Sequence, residues 1–185
     1  AGAVAGRWPW CDRAASGARG AGGADAARPG PPWRGKPAWR QASTACETAN
    51  HAEATAKARA CATPGDWLSL ALDHHDQIRA GFERGSAART PAERIAACKD
   101  LSLVLNGHSL AEELVLYPAM AQSGHKTQAG VAYTEQDTAK MQMAELENID
   151  PADEAWADKF GHIKGAVLTH VHEEEHGWFI HLKKH

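Results

Sequence analysis

Hydrophobic residues after position 62 recur every three or four positions, the helical period, and fall into four runs. In the first, Trp67 to Arg84, a stripe of Leu68, Leu72, Ile78 and Phe82 follows Asp66, which is placed to cap the helix. The second opens at Thr90-Pro91-Ala92-Glu93, a capping box with proline at the first helical position. Ile95, Leu101, Leu103, Leu105, Leu110 and Leu114 are its expected apolar contacts, and Pro118, after Tyr117, is expected to close it. Inside it, Asn106-Gly107 predicts a kink or the close approach of a neighbouring helix. Residues 122–128 read as a loop. The third run, Ala129 to Asn148, aligns Ala132, Glu135, Ala139 and Leu146 on one face. The fourth opens at Asp150-Pro151 and passes through Trp156, Phe160, Ile163 and Val167 to about Leu182. No segment alternates with the strand period. The predicted fold is all-α, an up-down-up-down four-helix bundle with short loops.

Residues 1–62 read differently. Residues 1–40 hold eight of the 17 Gly, five of the nine Pro and four of the seven Trp, without helical or strand period. Such a segment buries too little apolar surface to offset chain entropy. It is expected to be a disordered or irregular N-terminal extension, either foreign to the domain or a Trp/Arg-rich interaction arm. Residues 41–62 are Ala-rich and predict at most a weak helix, since no apolar stripe anchors it. The expected division is therefore 1–62, an unfolded extension, and 63–185, the helical domain.

Charge sharpens that division. Seven of the 20 Lys/Arg and two of the 23 Asp/Glu lie in residues 1–40, so the rest of the chain is acidic. An acidic domain argues against nucleic acid as a partner, and no apolar run is long enough to predict a membrane span. Cys11, Cys46, Cys61 and Cys98 are scattered without a CxxC pair, which predicts reduced thiols and a cytoplasmic location.

The candidate chemistry lies in a repeat. His108-Ser-Leu-Ala-Glu112-Glu113-Leu-Val-Leu-Tyr117 returns 62 positions later as His170-Val-His-Glu-Glu174-Glu175-His-Gly-Trp-Phe179. Each copy carries a His, carboxylates at +4 and +5 and an aromatic at +9. Positions i and i+4 share a helix face, so each copy aims an imidazole and a carboxylate at one point. Two such helices facing each other offer two His and two Glu to a shared centre, a donor set suited to iron or manganese rather than to structural zinc. His75 lies on the apolar stripe of the first helix, and Glu135 faces inward on the third unless the helix phase is one position off, which would put it at the rim.

Three stretches then resemble the hemerythrin-like HHE cation-binding family: Asp73-His74-His75-Asp-Gln-Ile78, His108-x3-Glu112-Glu113-x3-Tyr117-Pro118 and His170-x3-Glu174-Glu175-x3-Phe179. The likeness spans about Asp66 to Leu182. It implies a four-helix bundle around a carboxylate-bridged, non-haem di-iron centre. His75 (with His74 the alternative), His108, Glu112, His170 and Glu174 match the family's ligands. The third helix departs from the pattern: oxygen carriers place a His pair where this chain has Tyr133-Thr-Glu135-Gln136-Asp137. The fourth carries Glu at +4 where oxygen carriers have Asp at +5. Both departures weigh against reversible oxygen carriage and leave a carboxylate-rich site.

The metal set expected from residues and resemblance together is His75, His108, Glu112, Glu135, His170 and Glu174, holding two irons per chain or another divalent metal. The expected function is binding of O2 or NO, or sensing of iron or redox state. The alternatives are a di-iron oxidase or peroxidase and a metal-free helical interaction domain. Leu72, Leu105, Met141 and Phe179 are expected to line the centre, with His176 or Glu113 orienting its ligands.

Overall fold

The computed structural model describes the backbone of residues 38–184 and the side chains of residues 49–184; the expectations for residues 1–37 lie outside it. All regular elements among the described residues are helical. They are α1 (Ala38–Cys61), α2 (Trp67–Ala87), α3 (Pro91–Ala111), α4 (Tyr117–Gln122), α5 (Lys126–Leu146), α6 (Glu154–Glu173) and α7 (Phe179–Lys184). One π-helical turn, Glu112–Leu116, joins α3 to α4, and another, Glu174–Trp178, joins α6 to α7. No described helix is long and apolar enough to cross a membrane.

Local chemistry sets most of the ends. Asp66 caps α2 by accepting from the Ser69 amide at 2.7 Å, and Lys183 reaches the same carboxylate at 2.7 Å. Thr90 and Glu93 close the expected capping box on α3. At the start of α6 the structure corrects the reading. Asp150 and Pro151 form a turn, and the helix begins at Glu154 with Asp153 as N-cap.

Pro118 does not end its helix either. In a π turn each amide reaches back five residues, as Tyr117 N does to Glu112 O. The next donor would be Pro118, which has no N–H. The Glu113 carbonyl, left without that donor, accepts from the Tyr133 hydroxyl of α5 at 2.6 Å instead. The helix therefore runs on to Gln122, and the loop shrinks to three residues, Ser123 to His125.

α2 packs on α3 and α6, α5 on α6, and α3 on α5, enclosing a core that includes Ile78, Phe82, Leu101, Leu105, Phe160, Ile163 and Val167. Not every expected contact is inside it. Ile95, Leu103, Leu110 and Leu114 are exposed, whereas Leu101 and Leu105 are buried. On α5 the inward residues are Ala129, Ala132, Gln136, Met143 and Leu146, and Met141, expected at the centre, faces solvent.

The boundary expected at residue 63 is also corrected, because α1 occupies much of the supposed extension. Ala54 and Ala58, one turn apart, are buried, and Ala58 belongs to a cluster with Leu68, Ala71, Leu72 and Phe179. Arg59 binds Asp73 at 2.9 Å and Asp76 at 2.5 Å. A helix that docks through alanine presents no large apolar stripe, which is why its periodicity did not register.

The glycines that admit close approach are on α2 rather than at Gly107, around which nothing lies within 4 Å. A Cβ on Gly81 would meet Leu101 Cδ1 at 2.9 Å, and one on Gly85 would overlap the Phe160 ring. Phe160 is wedged between Phe82 and Trp156, so it has nowhere to retreat. Gly85→Ala is therefore expected to cost about 2 kcal/mol, lowering the thermal midpoint by roughly 5 °C. Gly107→Ala, in open space on a helix, should instead gain up to about 1 kcal/mol. Melting curves that moved both variants the same way would contradict this packing.

Candidate metal centre

Polar residues from all four long rods meet where a helical protein should be driest. α2 contributes His75, α3 His108, the first π turn Glu112, α5 Gln136, α6 His170 and the second π turn Glu174 and Glu175, all buried. The ligand atoms of His75, His108, Glu112 and Glu174 lie within 4.8 Å of one another. His75 Nε2 is 3.2 Å from His108 Nε2 and 3.1 Å from Glu174 Oε2. His108 Nε2 is 3.3 Å from Glu112 Oε1, and His170 Nε2 is 2.9 Å from Glu174 Oε1. The structure thus brings together five of the six expected residues, four as one group and His170 through Glu174. It also settles the choice on α2, since His75 is fully buried and His74 only half-buried.

Glu135 is the exception. It sits at the rim and meets His170 from outside, its Oε2 2.7 Å from Nδ1. The inward position on α5 belongs to Gln136, whose Nε2 donates to Glu112 Oε2 at 2.5 Å. α5 is rich in Ala, Thr and Gln, so its phase was open by one residue.

The two π turns explain the aromatics at +9. On a regular α-helix a residue five beyond a glutamate is carried about 140° around the axis. The wider π turn instead leaves it close to the glutamate's own side. Tyr117 thereby places its hydroxyl 3.1 Å from Glu112 Oε2, 3.2 Å from His170 Nε2 and 3.3 Å from Glu174 Oε1. Phe179 stacks on the His75 ring, 5.4 Å between centroids and 9° between planes. The repeat is equivalent in backbone and divergent in chemistry, for one copy supplies a hydroxyl and the other a lid.

It diverges again at +5. Glu175 Oε1 lies 2.8 Å from His75 Nδ1, while its Oε2 accepts from Arg79 at 2.6 Å and from Thr55 of α1 at 2.5 Å. Glu113 instead pairs with Lys140 outside the centre, and His176 is exposed. His75 and His170 therefore each point Nε2 inward with Nδ1 held by a carboxylate, the arrangement that fixes tautomer and ring orientation in metal sites. Tyr117, Gln136, Arg79 and Thr55 were not among the expected site residues. Only an i, i+4 relation between Glu175 and Arg-bearing α2 in three dimensions, not in sequence, would have found the last two.

The electrostatics follow from burial and pairing. Burial opposes charge on His75, but Glu174 and Glu175 outweigh it and hold the imidazolium up to about 9. Burial is likewise outweighed at His170, where Glu174 and Glu135 raise it to about 10. His108 has no such surplus: burial and the neighbouring charge of His75 push it down to about 3. Burial and the Glu174 charge raise Glu112 to about 8. Glu174 stays well below the carboxylate range because His170 and His75 overcome its burial. Burial, Glu174 and Glu112 keep Tyr117 a phenol far above its ordinary range.

Two oxygens remain unaccounted for. Glu112 Oε1 and Glu174 Oε2 are buried and have no hydrogen-bond partner, although each lies near an imidazole nitrogen. Those nitrogens are at ion-pair distance without hydrogen-bond alignment. Orphaned carboxylate oxygens are costly inside a protein, and a cation among these donors would satisfy both. Imidazole and carboxylate together suit a first-row transition metal.

No curated protein and no solved structure matches the chain. A family model does, that of the hemerythrin HHE cation binding domain, over residues 68–182. That span contains all six expected ligands and both π turns and leaves out α1. With more than half its length matched and the His/Glu cluster at its core, the chain belongs to the hemerythrin HHE cation-binding domain family.

Proposed function

We propose that α2, α3–α4, α5 and α6–α7 form an up-down-up-down four-helix bundle that holds a dinuclear non-haem iron centre, which binds a diatomic ligand (O2 or NO) or senses iron and redox state. The observation that carries this reading is the pair of orphaned oxygens, Glu112 Oε1 and Glu174 Oε2, buried among three imidazoles. His75, His108 and His170 would hold the metal with Glu112 and Glu174. Glu174, in contact with His75 on one oxygen and His170 on the other, is placed to bridge. Bound iron supplies an open coordination position and a reversible change of oxidation state.

The protein's own part is positional and electrostatic. Glu135 and Glu175 hold the outer nitrogens of His170 and His75, so the inner nitrogens are presented as ligands. Tyr117 keeps its proton and donates it to Glu112 Oε2. Phe179, Leu72 and Leu105 keep water from the site, which raises the weight of every charge inside it.

The test is elemental analysis with an absorption spectrum on the full chain produced with iron. The expected result is about two irons per chain, as in other carboxylate-rich bundle sites, with a near-ultraviolet charge-transfer band. Less than about 0.2 metals per chain after anaerobic reconstitution would leave a helical scaffold without a centre, since a built site of this kind binds its metal stoichiometrically.

A further inference from the structure

The walls beside the centre point to a second ligand. A cavity of about 340 Å³ lies between α3, α5 and α6 and ends on His108 and His170. A water-sized molecule takes up about 30 Å³, and cavities from about 300 Å³ upward are the size that hold small organic ligands. A path for a diatomic molecule alone would need far less.

The wall chemistry narrows the class. Ile78, Leu105, Val167 and Val171 give it an apolar side. Thr134, Thr138 and Thr169 look polar in sequence. Their hydroxyls, however, are bonded to the carbonyls of Gly130, Thr134 and Gly165 on their own helices, at 2.9, 2.7 and 2.9 Å, so they are not free to serve a ligand. The charges are spent as well: Lys140 pairs with Glu113 and Asp137, and Glu135 with His170. An anionic ligand would find no spare cation.

One polar atom is unused. Gln136, 4% exposed, lines the cavity, and its Oε1 is buried without a partner. The amide cannot turn round, because Nε2 is committed to the Glu112 carboxylate and an oxygen there would face an oxygen. We infer that this cavity binds a neutral, largely apolar organic molecule carrying one hydroxyl or N–H group, which donates to Gln136 Oε1 and is held against the centre. The inference rests on the metal reading only in that the cavity ends on two of the proposed ligands.

The test uses the iron-loaded full chain with benzyl alcohol and with ethylbenzene, which has nearly the same shape but no donor, followed by ligand-observed NMR titration. Benzyl alcohol is expected to bind about tenfold more tightly, the usual consequence of a buried acceptor left unpaired by the analogue. Gln136→Leu should erase that preference. Ala139→Phe and, independently, Ala166→Phe should fill the cavity and weaken both probes at least about tenfold while iron content stays at the wild-type level. Iron-loaded protein that binds neither probe, or that binds both equally, overturns the inference and leaves the metal reading intact. So do filled variants that fold, hold iron and still bind. Protein that prefers benzyl alcohol as expected but never takes up iron sinks the metal reading and leaves the cavity assignment standing.

Discussion

Glu174→Ala is expected to abolish stoichiometric metal binding and to weaken the metal-free protein as well. Glu174 is fully buried, contacts His75 through one oxygen and His170 through the other, and starts the second π turn. Loss of a group that merely orients a ligand costs 10- to 100-fold in affinity, so loss of this carboxylate should exceed about 100-fold. In the metal-free chain the same carboxylate keeps two buried imidazoles charged. Without it each retains a single partner, Glu175 or Glu135. Breaking a buried charge network in this way costs about 3 kcal/mol. Elemental analysis after dialysis and a urea titration read the two effects separately. Wild-type metal content in the variant would show that the cluster is not the centre.

The second large effect is on protons. At neutral pH His75, His170 and Glu112, at about 9, about 10 and about 8, all carry a proton that a metal ion must displace. Uptake at pH 7 is expected to release about three protons, and log affinity should rise by about 3 per pH unit before flattening between pH 8 and 10. Calorimetry in buffers of different ionisation enthalpy counts them.

Stability of the metal-free chain runs the other way. Groups whose folded pKa is raised stabilise below their unfolded value and lose that contribution as pH climbs through the folded one. For Glu112 the loss spans 4.5 to about 8, and for the two histidines 6.5 to about 9 and 10. On the acid side Glu174 and Glu175, held low, lose their contribution below 4.5. His108, also held low, loses its own below 6.5. Stability of the metal-free protein should therefore fall from pH 7 to 10 while metal affinity rises. A metal-free protein that grew more stable over that range, or uptake without proton release, would contradict the charge states drawn from these contacts.

Much of this centre was legible in the sequence because its grammar is local. His108 with Glu112 and His170 with Glu174 are one helical turn apart, so their convergence follows from helix geometry alone. His75 followed from its place among Leu72 and Ile78. What depended on relations between helices was not legible. The phase of α5, with few large apolar residues, was misread by one position, exchanging Glu135 for Gln136. α1 was passed over because Ala54 and Ala58 dock by being small. Leu103, Leu110 and Leu114 count as core by composition, yet the stripe that turns inward on α3 is that of Leu101 and Leu105. The π turns left no trace in the periodicity, since one residue more or less in a turn is invisible until the aromatic beyond it is seen to land beside the glutamate.

Those turns also decide what the gene tolerates. Each is one residue longer than the α-helical turn it replaces, so a codon deleted between Leu114 and Leu116, or between His176 and Trp178, would restore an ordinary helix rather than break one. Everything upstream, including the ligands themselves, would keep its phase. Everything downstream would rotate by about 100°, carrying Tyr117 away from Glu112 in the one case and Phe179 off His75 in the other. An in-frame loss at either place is thus a foldable lesion that leaves the donors in register and removes only what lies over them.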